Sequence, residues 1–315
     1  MTTSIHERAK LTRSAAIASI VTALFLAGMK IWAVLQTDST AMLGSLADTS
    51  LDLIASVGTL VGVWIAARPA DETHRFGHGK AEALAAMFQV VLIAMSAVGL
   101  AYRAIDQLLL GARPTGADEG IIVSVLAIVG TLALLAWQRH VIRKTGSLAI
   151  STDHLHYKSD LLLNLAVIAA LVLDTYLAVS GADALFGLAI ALWLAWGAWR
   201  AAGEAIDHLM DKEWPEEKRE AFLEVLARHP ELRGVHDLRT RTSGAHDFVQ
   251  FHASVDPSMT VAEAHRIMDE IEERIEVEFP GVEVLIHPDP EGLFDETGIA
   301  VEELLPGVRE EKEDE

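Results

Sequence analysis

The sequence contains no cysteine. Disulfides and thiolate metal sites are excluded, so any metal this chain binds is held by His, Asp or Glu. Basic residues are also scarce. Only 25 Lys and Arg stand against 45 Asp and Glu, a net charge of −20 that argues against nucleic acid as a partner. No GxxxxGK[ST] phosphate loop occurs, which argues against an ATP-driven pump. No cleavable signal peptide is expected. MTTSIHERAKLTR is polar, and the apolar run after it has no convincing small-residue cleavage site, so it reads as a retained membrane helix.

Against these absences stands a hydrophobic fraction of 51% with positive mean hydropathy. A soluble domain is rarely both this apolar and this acidic, so the chain reads as a membrane part joined to an acidic soluble part. After a polar arm at 1–13, six apolar segments follow at about 14–35, 41–66, 82–102, 120–137, 147–178 and 183–203. Each is close to the ~20 residues that span a bilayer. The expected division is a six-helix transmembrane domain over 14–208, a metal-binding regulatory domain over 209–291 and an acidic, disordered tail over 292–315. Six spans put both termini on one side. Arg8, Lys10 and Arg13 in the arm, Arg68, Arg75 and Lys80 in the second loop, and Arg139, Arg143 and Lys144 in the fourth mark that side as the cytoplasm. The first and fifth loops have no basic residue, while the third has Arg103 and Arg113.

The second segment, LGSLADTSLDLIAS, carries Asp48 and Asp52 within an apolar run. A spacing of four places both carboxylates on one helix face, about 6 Å apart. Acids at membrane depth are expensive and mark ion paths. The fifth segment repeats the spacing in HYKSD, with His156 and Asp160. Two helices offering two ligands each could supply the four that tetrahedral Zn²⁺ prefers. A helix cap at Asp48 and a wet boundary histidine at His156 are the plainer readings of each residue alone. Asp153 and His154 lie off this register and are set aside.

The loop DETHRFGHGK holds Asp71, Glu72, His74 and His78, with Gly77 and Gly79 to let it fold around an ion. An ordinary polar loop is the alternative. Beyond 210, WPEEKREAFLEVLARHPEL reads as an amphipathic helix, GVHDLRTRTS and HDFVQFHASV as strands joined by a Ser-Gly turn, TVAEAHRIMDEIEERIEVEF as a helix with Ile267, Ile271 and Ile275 in one stripe, and VEVLIHPD as a third strand. The order αββαβ suits a ferredoxin-like α+β domain. His236, His252, His265 and His287 fall on separate elements of it, with Asp289 two residues after His287. Only the fold can bring them together, and each alone is an ordinary surface histidine.

Taken together, SLADTSLD, PADETHRFGHGKAE, HYKSD, VHDLRTR and the later HPDP resemble the cation diffusion facilitator family, most of all the bacterial zinc exporters of the YiiP type. The resemblance runs in order over about residues 10–290. It implies a transport site of Asp48, Asp52, His156 and Asp160, a loop site of Asp71, His74 and His78, and a binuclear cytoplasmic site of His236, His252, His265, His287 and Asp289. It further implies a homodimer in the bacterial inner membrane, and a charge pair at the domain junction for which Lys80 and Asp211 are the candidates here. One departure is Pro288, where relatives often carry Gln. The expectation is a secondary transporter, not an enzyme: a proton-coupled antiporter that exports Zn²⁺, with Cd²⁺ also carried, and takes Zn²⁺ as a regulatory ligand. Imidazole favours Zn²⁺ over harder ions, and His156 has an unperturbed pKa of about 6.5 that suits proton exchange. Two rivals are a membrane-anchored metal sensor without transport and an exporter of organic cations. Ligands at membrane depth argue against the first, and the His-Asp pair argues against the second.

Overall fold

The computed structural model describes residues 5–37, 40–110, 121–177, 182–292 and Leu304; the side chain of Asp48 and most of the acidic tail lie outside the described residues. The chain divides into two compact units between Leu209 and Met210.

Among the described residues the first unit holds six helices: α1 (Ile5–Thr37), α2 (Thr40–Ala66), α3 (Ala81–Leu110), α4 (Ile121–Thr145), α5 (Leu148–Leu177) and α6 (Ala182–Leu209). Within a bilayer all backbone donors must be satisfied inside the segment, which is why apolar runs of this length become helices. Among the described residues, α1, α2, α3 and α6 are long and apolar enough to cross a membrane. The N-terminal half of α5 is more polar, with Asp153, His154, His156, Lys158 and Asp160. Large apolar side chains such as Val98, Tyr102 and Trp199 point outward, where lipid rather than water suits them. The contacts between helices use small residues: Ala15, Ala16, Ala85 and Ala149 form one buried cluster, and Ala97, Ala198 and Ala201 another. Small residues let helix backbones approach where lipid offers no hydrophobic drive. α2 and α3 come close together at Gly62 of α2. A Cβ there would lie 2.2 Å from that of Ala85 and 3.2 Å from the Ala81 carbonyl oxygen.

The second unit has the order α7 (Glu216–Leu226), β1 (Gly234–Ser243), β2 (His246–Val255), α8 (Val261–Glu278) and β3 (Val282–Pro290). The sheet order is β1-β2-β3, with β1 antiparallel and β3 parallel to β2. This is the ferredoxin-like αββαβ arrangement read in the sequence. Val249, Phe251, Ala253 and Val255 alternate onto the face that packs against Ile267, Ile271 and Ile275 of α8 and Phe222 and Leu226 of α7. Phe222 is fully buried, with the rings of Trp214 and Phe251 about edge-on at 5.9 and 6.0 Å. Removing one such side chain from water stabilises the unit by about 1.5–3 kcal/mol. A capping box starts α8: the Thr260 hydroxyl accepts from the Glu263 amide, and the Glu263 carboxylate accepts from the Thr260 amide at 2.8 Å.

Candidate metal centres

Helix α5 packs against α2, and this contact brings their polar faces together. His156 Nε2 lies 2.9 Å from Asp52 Oδ1 and 3.9 Å from Asp160 Oδ2. The three residues offer ligand atoms that all fall within 4.8 Å of one another. His156 is buried at 5% exposure, and the two carboxylates are partly covered. One imidazole nitrogen and two carboxylates suit a borderline-soft divalent ion. Asp48 stands one helical turn before Asp52 on α2, but its side chain lies outside the described residues.

The loop between α2 and α3 gathers a second set. Asp71 Oδ1 accepts from the Thr73 hydroxyl at 2.8 Å, the Thr73 amide at 2.9 Å and the His74 amide at 2.7 Å. Its carboxylate is also 3.3 Å from His74 Nδ1 and, through Oδ2, 3.3 Å from His78 Nε2. The Thr73 hydroxyl first, then the His74 amide, hold the Asp71 carboxyl below the usual carboxylate range. Gly77, at φ +76°, makes the turn that returns His78 toward Asp71, and the two imidazole rings lie 4.4 Å apart. The local sequence therefore builds a constellation that is mostly exposed to solvent. Glu72 takes no part in that three-residue group.

In the second unit the ladder register does what spacing could not. His236 of β1 pairs with His252 of β2, which pairs with His287 of β3, so three histidines share one row across the sheet. Asp289, two residues on, returns to the same face as His287. Asp289 Oδ2 lies 2.8 Å from His252 Nδ1 and 3.1 Å from His236 Nε2, while Oδ1 is 3.3 Å from His287 Nε2. His236, His252 and Asp289 form the compact group, with His236 and Asp289 buried. Two imidazoles and a carboxylate fit Zn²⁺ chemistry. His287 stands at the rim with a 59% exposed side chain. His265 stands apart from this group: it projects from α8, 76% exposed, 3.8 Å from Asp269. Pro288 sits on the edge strand β3, where a missing amide is tolerated, and does not stop Asp289 from reaching its partners. A bulge follows His236, with Asp237 at φ 48°, and its carboxylate comes within 3.8 Å of His252. Nothing in the sequence pattern signals Asp237.

At the junction candidates, the Lys80 ammonium donates to the Leu209 carbonyl at 3.1 Å within the first unit, and Asp211 lies 3.7 Å from Arg241 within the second.

Residues 16–210 match the cation efflux transmembrane domain, and residues 214–291 match the cytoplasmic domain of cation efflux proteins. The chain belongs to the cation efflux family. Members of that family are transporters rather than enzymes, and this chain is a cation efflux transporter of the membrane. It is similar to the cation-efflux pump FieF of Cronobacter sakazakii, 41% identical over 90% of this chain and 95% of the relative. FieF of Serratia proteamaculans is 40% identical over 90% of this chain and 94% of that one. Among solved structures, the Zn form of CzrB is 37% identical and covers 27% of this chain and 98% of its own, with a TM-score of 0.26.

The efflux family frame leaves one buried cluster without a role. Asp153, fully buried in α5, is hydrogen-bonded to side chains from three other helices. It lies off the i,i+4 register of His156 and Asp160. A sequence signal for it is Gln89, an amide within the third apolar segment; Gln138 lies just past the end of the fourth.

Proposed function

We propose that this cation efflux transporter exports Zn²⁺, and Cd²⁺ with it, from the cytoplasm in exchange for protons. The observation that carries the proposal is the convergence of Asp52, His156 and Asp160 inside the helical unit. Together with Asp48 one turn away, these residues give a four-ligand set with one imidazole. That set favours Zn²⁺ over harder ions, which prefer oxygen alone.

The exchange follows from the ligands' chemistry. His156 binds a metal ion only as neutral imidazole, and the aspartates only as carboxylates. Zn²⁺ entering from the cytoplasm therefore displaces protons from this set. Protons arriving from the opposite side compete for the same lone pairs and release the ion. His156 is the natural exchanger, because an imidazolium gives up its proton when the ring binds a metal ion and regains it when the ion leaves. Alternating access carries the one set between the two sides.

The transporter works as a homodimer in the bacterial inner membrane with both termini in the cytoplasm, and its domains run over 14–208 and 209–291. Asp71, His74 and His78 take an ion in the loop. His236, His252 and Asp289 take regulatory Zn²⁺ in the cytoplasmic domain, with His287 at the rim supplying a further ligand, while His265, apart on α8, is left out of that set. Metal there draws acidic domains of the dimer together and biases the membrane part, a population shift. The support for these assignments is the family's frame and the donor chemistry of each cluster.

The experiment is Zn²⁺ flux by the purified protein in liposomes with an imposed pH gradient, repeated with the gradient collapsed by a protonophore. Flux that follows the gradient supports the exchange. Flux indifferent to the gradient refutes proton coupling, and absence of both Zn²⁺ and Cd²⁺ flux refutes the substrate.

A further inference from the structure

We infer that Asp153 is a positioning residue for transport: through a buried hydrogen-bond hub it sets the height and rotation of α5, and thereby the spacing between His156 and Asp52. The inference rests on the transport reading above.

Asp153 has no exposure, and its carboxylate receives donors from three helices. The Ser19 hydroxyl of α1 donates to Oδ2 at 2.5 Å, the Gln138 amide of α4 to Oδ2 at 2.8 Å, and the Gln89 amide of α3 to Oδ1 at 2.8 Å. The amides are themselves oriented. The Thr59 hydroxyl of α2 donates to Gln89 Oε1 at 2.5 Å, which turns the Gln89 NH₂ toward Asp153. His154 Nδ1 lies 3.2 Å from Gln138 Oε1, which orients that amide likewise. Ser19, Gln89 and Gln138 are each fully buried.

The hub continues to the transport site. Tyr157 lies one turn after Asp153 on α5, and its hydroxyl donates to the Ser19 carbonyl at 3.1 Å. The Ser56 hydroxyl of α2 is 2.8 Å from the same Tyr157 oxygen. Ser56 in turn lies one turn after Asp52. A single hydrogen-bonded chain thus ties α1, α2, α3 and α4 to α5 at Asp153 and at Tyr157, on either side of His156. Asp153 is three residues from His156, about 4.5 Å along the helix axis.

An acid in this place is an expensive way merely to join helices. Apolar packing holds helices together as well, and a buried charge needs all its donors. What the acid adds is directional restraint: three donors converging on one carboxylate fix α5 against both sliding and turning. Metal–ligand bonds of about 2.0–2.2 Å tolerate little displacement, so ion affinity depends on that restraint. Groups that orient a metal's ligands change affinity by 10–100-fold when removed.

The test is Zn²⁺ and Cd²⁺ flux by the full-length protein in liposomes, comparing the intact chain with Asp153→Asn, Ser19→Ala and Tyr157→Phe. Asp153→Asn keeps the volume but presents an NH₂ to donors that need an acceptor. The KM for Zn²⁺ should rise about tenfold in Asp153→Asn, with maximal rate per folded molecule changed less than twofold. Ser19→Ala and Tyr157→Phe should raise KM in the same direction by less. If Asp153→Asn does not fold, the two milder variants decide. A purely structural role would lower the yield of folded protein and leave KM alone, and unchanged KM in all folded variants overturns the inference. An intact protein that moves neither ion contradicts the function proposed above, and this role with it.

Discussion

Replacing Asp289 with alanine should weaken Zn²⁺ binding in the cytoplasmic domain by about a hundredfold. Asp289 is the common partner of the row, reaching His236, His252 and His287 at 3.1, 2.8 and 3.3 Å. It is only 6% exposed, so solvent does not replace it easily. Structural Zn²⁺ sites with four ligands bind with about 10–16 kcal/mol. Shared over four ligands this is about 3 kcal/mol each, and at about 1.4 kcal/mol per decade the loss of one is about two decades. The assay is a Zn²⁺ titration against a competing chelator on the full-length protein, in a background of Asp52→Ala and Asp71→Ala that silences the other two clusters. His265→Ala in the same background should change the affinity far less, because that side chain stands apart on α8. An Asp289→Ala protein that binds as tightly as its background would refute the assignment.

Three further outcomes follow from the structure. Phe222→Ala should destabilise the cytoplasmic domain by about 3–5 kcal/mol, since a fully buried ring is removed from a packed aromatic group; a urea melt followed by near-UV circular dichroism checks it, and a loss under about 1 kcal/mol would contradict the packing. Gly62→Ala should force α2 and α3 apart at a cost of about 1–3 kcal/mol, because its Cβ would overlap that of Ala85; a lowered melting temperature in detergent is expected, and an unchanged one would contradict the close approach. Asp71, held below the usual carboxylate range, stabilises its loop at all pH above the ordinary aspartate value, and this contribution is lost only as pH falls through the depressed one. Thr73→Ala removes the leading donor and should move that titration upward in the metal-free protein, as read by NMR of the carboxyl group; an unmoved titration would sink the explanation.

Much of the architecture was legible because its signals are local. Apolar runs of spanning length mark the helices, and the alternation of Val249, Phe251, Ala253 and Val255 marks β2 with its buried face, although Phe248 and Ser254 on the other face are buried as well. The Asp48/Asp52 and His156/Asp160 pairs could be read from helical period alone. Whether α2 faces α5 could not, since no local pattern encodes which helices touch. The cytoplasmic histidines show the same boundary. His236, His252 and His287 are far apart in sequence, and only the β1-β2-β3 register puts them in one row. His265 sits on a helix face turned to solvent, a matter of α8's rotation that its ligand-like chemistry does not reveal. Asp153 lies off the i,i+4 register of His156 and Asp160, so spacing within α5 does not single it out. Its partners are on other helices, and the i,i+4 rule sees only its own.

The central claim is that the Asp52, His156 and Asp160 cluster is the route for the ion and the point of exchange with protons. The most direct test is pH-gradient-driven Zn²⁺ flux in liposomes by the intact protein, by Asp52→Ala and by His156→Ala. The account predicts flux for the intact protein that both substitutions abolish. Flux that survives both would mean that the ion crosses elsewhere, and would contradict it.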